Sequence, residues 1–123
     1  DNTSYVLDQL SNYINKSNIF VVVKKLSQRE LLSFHTVGDC YLSLHRGEAF
    51  GLVLHEAYNY GKTIVTTGYG GQNEFLGNDY EYFVDYNLSP VTNMDNFNKW
   101  YEPNQLWGVP NLEHAKEILR KIK

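Results

Sequence analysis

The chain has 123 residues, 42% of them hydrophobic and 20% charged, enough for one globular domain around a single core. A formal net charge of −3 with scattered basic residues argues against a nucleic-acid binder, which usually presents a basic face. One cysteine, Cys40, excludes an internal disulfide framework and fits a reducing compartment, and no apolar run approaches membrane-span length.

The first segment, Thr3 to about Asn15, carries Tyr5, Val6, Leu10, Tyr13 and Ile14 at helical spacing, with Thr3 or Ser4 as cap. Ile19 to Val23 is a continuous, largely β-branched run, as expected of a strand buried on both faces. Ser27 and Glu30 fit a capping box that opens a second helix through about His35. An apolar strand follows from Cys40 to Leu44, where Cys40 reads as a buried structural thiol rather than a nucleophile. A helix runs from about Gly51 to Tyr60, and Gly61 is a natural stop for it. Thr63 to Thr66 is a third strand, Gly70-Gly71 a turn, Asn73 to Leu76 a short helix and Glu81 to Asp85 a fourth strand. Asp85 to Asn111 is a long connection with little regular pattern, carrying Tyr86, Trp100, Tyr101 and Trp107. It reads either as a segment packed back across the domain, which is the favoured reading, or as an aromatic surface near a sugar cleft. Asn111 caps a terminal helix from Leu112 to Ile122, and Arg120, Lys121 and Lys123 complement the negative end of its dipole. Strands alternating with helices make the fold class α/β, with a parallel sheet of about four strands and flanking helices.

The stretch His45 to Glu56, HRGEAFGLVLHE, carries the most chemistry. It places two carboxylates, Glu48 and Glu56, around a Phe50-Gly51 turn where a strand passes into a helix. Open α/β sheets bind ligands at that junction, because the strands end in a crevice into which helix N-termini aim free N–H groups. Anion-binding amides beside two hydroxyl-seeking carboxylates suit a sugar attached to a nucleoside diphosphate. No His/Cys/Asp cluster has metal-ligand spacing. Neither Gly-x-Gly-x-x-Gly nor a Walker Gly-Lys-Ser/Thr occurs, which counts against a dinucleotide enzyme and a phosphate-loop ATPase.

The spacing Glu-x7-Glu with Phe-Gly between resembles the donor-binding motif of retaining, GT-B-fold glycosyltransferases of family 4, the glycosyl transferases group 1. The resemblance extends through LSQRELLSFHTVGDCYLSLHRGEAFGL (Leu26 to Leu52), GKTIVTTGYGGQNEFL (Gly61 to Leu76), YFVDYNLSPV (Tyr82 to Val91) and WGVPNLEHAKEIL (Trp107 to Leu119), in the family's order. It implies a Rossmann-like, nucleotide-sugar-binding domain, the C-terminal half of a GT-B fold, of which residues 1–123 are a partial copy. On this reading the N-terminal acceptor domain, the first strand of the donor domain and the Arg/Lys pair that follows that strand are missing. The chain is then a fragment, inactive alone.

The resemblance also implies roles. Glu48 is the catalytic candidate, accepting hydrogen bonds from the donor sugar and stabilising positive charge at the anomeric carbon electrostatically. Glu56 accepts from both ribose hydroxyls. Ala49, Phe50, Gly51 and Leu52 form the turn whose backbone N–H groups, those of Phe50 to Leu52 above all, meet the diphosphate. Ala49 stands where the family usually has Gly. Arg46 has two candidate partners, a phosphate or Glu48. His45 is either a donor-sugar ligand or a satisfied strand-end imidazole. Lys24, Lys25 and Leu26 follow a strand whose end often meets the nucleobase. No cofactor or metal is implied. The partners are a nucleotide-sugar donor, a glycan or lipid-linked acceptor held by the missing domain, and a second copy through an exposed sheet edge. The implied setting is cytoplasmic, with peripheral membrane association of the parent left open. The competing reading is a non-catalytic interaction module that kept the fold and assembles with a partner.

Overall fold

The computed structural model describes residues 2–14, 18–91, 101–102 and 104–122. Asn15, Trp100 and Lys123, each part of an expectation above, lie outside the described residues. In chain order the elements are α1 (Asn2–Ile14), α2 (Gln28–Val37), β1 (Cys40–Ser43), α3 (Leu52–Asn59), β2 (Thr63–Thr67), α4 (Asn73–Leu76), β3 (Phe83–Val84), β4 (Tyr86–Pro90), β5 (Leu106–Pro110) and α5 (Leu112–Lys121).

The sheet is parallel and three-stranded in the order β1-β2-β3, with Cys40 opposite Thr63 and Thr66 opposite Phe83. β2 is central. Successive strand residues point to opposite faces, so Ile64 and Val65 seed two separate cores. Ile64 packs with Leu54 and Ala57 of α3, and Val65 packs with Val84 and with Ala115 and Ile118 of α5. Fully burying each large aliphatic side chain stabilises by roughly 1.5–3 kcal/mol. The sheet is therefore clamped between α3 and α5, the layering of a Rossmann-like α/β domain.

The capping signals act as their chemistry requires. Glu30 N–H donates to Ser27 Oγ (3.3 Å) while Ser27 N–H donates to Glu30 Oε2 (2.9 Å), closing the box that starts α2. Asn111 Oδ1 accepts from the Glu113 and His114 amides, both at 3.1 Å, and opens α5. Past α3, Gly61 takes a left-handed φ of 69° and Lys62 N–H returns to Ala57 O.

Two expectations are corrected. Residues 19–23 form no strand, and the sheet has three strands rather than about four. A strand needs a ladder partner, and among the described residues none pairs with this run. Its side chains stand exposed, Phe20 at 90%. The second correction concerns the long connection, which contains a pair of antiparallel strands. β4 and β5 pair from Tyr86 opposite Pro110 to Pro90 opposite Leu106. No helix among the described residues is long and apolar enough to cross a membrane.

Candidate functional site

The chain leaves β1 at Ser43, turns through His45 to Phe50 and enters α3 at Gly51. Gly51 is left-handed, with φ 83° and ψ 55°. That backbone conformation favours glycine, and a Cβ there would also press on Leu54 Cδ1 at 2.8 Å. The Gly70-Gly71 turn braces this loop. Gly71 N–H donates to Glu48 O at 3.0 Å, and a Cβ at Gly71 would collide with the Ala49 carbonyl.

His45 is a bracket between strands. Its Nε2 lies 3.2 Å from the Tyr69 carbonyl, which only accepts, so Nε2 carries the hydrogen and Nδ1 accepts from Ser43 Oγ at 3.1 Å. Thr67 Oγ1 donates to the His45 carbonyl at 2.7 Å. Burial pushes the imidazole pKa below its ordinary value, against smaller opposing effects of the Tyr69 carbonyl and the Glu48 charge. Both ring nitrogens are held by protein groups.

Glu48 turns back on its own loop. Its Oε1 accepts from Ala49 N–H (3.0 Å) and Gly51 N–H (3.1 Å). The carboxylate thus occupies amides at the mouth of α3, where the dipole favours negative charge. Glu48, Ala49, Phe50, Gly51 and Leu52 line a cleft of about 360 Å³ with Tyr41 and Ser43. Phe50 has a packing role as well, its ring centroid 5.4 Å from those of both His55 and Phe75.

Glu56 is outside that lining, exposed on the second turn of α3. Its Oε2 lies 3.5 Å from His35 Nε2. His35 is buried at 7% exposure and stacks on Tyr60, ring centroids 5.6 Å apart. Sequence reasoning missed this partner, because nothing in a helical histidine 21 positions upstream marks it. Lys24 is engaged at the surface, its Nζ 2.6 Å from Glu30 Oε1. The Lys24 ammonium, with the Ser27 amide and hydroxyl, brings the Glu30 carboxyl to about 2.

Among the described residues Arg46 forms no ion pair with Glu48. Its guanidinium lies 4.5 Å above the Trp107 ring, and its carbonyl accepts the Gly108 N–H at 2.8 Å. A Cβ on Gly108 would come within 2.8 Å of Tyr69. The β4-β5 pair is thereby seated on the His45–Glu48 loop, and Tyr69 and Tyr86 meet at 5.2 Å. Between pair and loop opens a second cleft, about 820 Å³, lined by Arg46, Glu48, Tyr69, Tyr101, Gln105 and Trp107 among others. Glu48 belongs to both clefts. Among the described residues no group of three His, Cys, Asp or Glu side chains is placed to hold a metal ion.

A family model described as glycosyl transferases group 1 matches residues 2–107, a span that includes every residue of the site. No curated protein matches the chain, and no solved structure does.

Proposed function

The chain belongs to the group 1 glycosyltransferases, and from that premise we propose that it binds the nucleotide-sugar donor of a retaining, GT-B-fold enzyme of family 4. The enzyme transfers a hexose to a glycan or lipid-linked acceptor, and this domain alone does not complete the transfer. The observation that carries the reading is the carboxylate of Glu48 seated on the Ala49 and Gly51 amides at the carboxyl end of a parallel strand. An intramolecular anion already rests where a diphosphate is expected, on the free N–H groups that open α3.

In use, the diphosphate takes those amides and Glu48 swings to the sugar. The anomeric carbon loses its bond to the diphosphate oxygen and gains one to an acceptor hydroxyl oxygen, whose proton leaves with the diphosphate. Positive charge grows on the sugar ring as the first bond stretches, and the Glu48 carboxylate stabilises it. Glu56 accepts from the two ribose hydroxyls. The backbone amides at the start of α3 carry the diphosphate.

A second reading, an interaction module, draws on the exposed apolar run at residues 19–23 and on the outer edge of β1, which has no strand beside it among the described residues. Calorimetric titration with UDP, GDP and ADP sugars separates the two. Binding that weakens by about 2 kcal/mol, roughly 30-fold, in Glu56→Ala is the expected result. A folded chain that binds no donor and associates as its concentration rises would overturn the donor reading in favour of the second.

A further inference from the structure

Of the ten residues of α2, only His35 is buried. Its ring stacks on Tyr60 with centroids 5.6 Å apart and lies 6.5 Å from that of Tyr41, so it bridges the end of α3 and β1. Lys62 Nζ donates to the Thr36 carbonyl at 3.4 Å and secures the same end of α2. An apolar side chain would satisfy that packing. Histidine instead encloses Nε2, which has no hydrogen-bond partner among the described residues. A buried polar nitrogen left unpaired is costly, so its presence calls for an acceptor. Glu56 Oε2 stands 3.5 Å away, and a small rotation of the glutamate side chain completes the bond. Because a carboxylate only accepts, Nε2 is the nitrogen that carries the hydrogen.

We propose that His35 is a positioning residue, which orients Glu56 so that its carboxylate meets the paired hydroxyls of a nucleotide's ribose. The proposal rests on the donor reading for the ribose, and on the packing of α2 for the orientation. The Glu56 side chain is 52% exposed. A glutamate standing free on a helix samples several rotamers and loses that freedom when it binds. An N–H held by a packed imidazole fixes the plane of the carboxylate in advance, which lowers the cost of binding. An ionised carboxylate has about four lone-pair sites, so one hydrogen bond from His35 leaves room for two hydroxyls.

Calorimetric titration of UDP, GDP and ADP into the full chain, with two replacements, tests this. His35→Phe keeps a ring for the Tyr60 stack and removes the N–H, whereas His35→Gln keeps an N–H donor. For a nucleotide that binds, affinity should fall about tenfold in His35→Phe and stay within about threefold of the parent in His35→Gln. In a Glu56→Ala background, His35→Phe should change affinity by less than about twofold, because the histidine acts through the glutamate. Imidazole proton–nitrogen spectra of the unsubstituted chain give a reading that no loss of folding can mimic: Nε2 of His35 should carry the hydrogen. Parental affinity in His35→Phe, equal losses in both replacements, an undiminished loss in the Glu56→Ala background, or an Nε2 without hydrogen overturns this proposal alone. A folded parent that binds no nucleotide, or whose affinity Glu56→Ala leaves unchanged, overturns the donor reading and this proposal with it.

Discussion

Gly71 shows how closely the site depends on single atoms. A Cβ there would overlap the Ala49 carbonyl, backbone against backbone, so relief requires the loop itself to move. Gly71→Ala is expected to destabilise the fold by about 1–3 kcal/mol and to weaken donor binding, read from urea denaturation and calorimetry. Gly47→Ala is the control, since nothing lies within 4 Å of a Cβ there; its denaturation midpoint should stay near that of the parent. His45 supplies a pH signature. Burial lowers its folded pKa from 6.5, so over the interval below that value the unfolded chain binds more protons than the folded one. Stability therefore falls as pH drops through 6.5 toward the lowered value, and levels off beneath it. Denaturation midpoints between about pH 7 and about pH 5 should decline, and less steeply in His45→Gln. An unchanged slope in the variant would assign the decline to other groups. At this scale the sequence marked candidate residues but not their partners. Glu48, Gly51 and Glu56 were visible from spacing, whereas His35 against Glu56 and Trp107 under Arg46 are contacts that only the fold creates.

The elements that came through the sequence unaided are those with a local cause. The Ser27–Glu30 box and the Asn111 cap are built from neighbours a few residues apart, and each formed as its chemistry dictates. Strands β1, β2 and β3 were legible because apolar runs separated by amphipathic helices fit one parallel sheet. Residues 19–23 had the same apolar signature and no ladder. Hydrophobicity reports what a strand would bury, not whether a neighbour is present to pair with it. The β4-β5 pair failed for the opposite reason. Its strands are joined by residues 91–105, far beyond a hairpin turn, and β4 has every residue but Ser89 exposed, so no alternation marks it. Proline closes each strand, at Pro90 and Pro110, where a missing N–H is tolerated. The pair is held to the site chiefly through Gly108, between Tyr69 and the Arg46 carbonyl. Gly108→Ala is accordingly expected to unseat it, costing about 1–3 kcal/mol and abolishing the Trp107 near-ultraviolet dichroism while α3 keeps its helical signal. Loss of helix together with that signal would show that the pair is part of the main core instead.

Across the whole molecule, a well-packed half and an open half adjoin. β2 is almost wholly buried between α3 and α5, with Ile64, Val65, Thr66 and Thr67 at 0% exposure. By contrast, residues 19–23 and Val37 present bare apolar surface, and the outer edge of β1 has no strand beside it among the described residues. The cleft lined by Glu48 to Leu52 lies at the end of β1. The account therefore makes one claim above the others: the amides at the mouth of α3 exchange the Glu48 carboxylate for a diphosphate. Nitrogen–proton correlation spectra recorded while UDP, GDP or ADP is titrated into the labelled chain test it most directly. The account predicts that the largest shifts, for at least one of the three, fall on Ala49, Phe50, Gly51 and Leu52, with a smaller response at Glu56. Saturable shifts concentrated elsewhere, or spectra of a folded chain that no nucleotide moves, would contradict it.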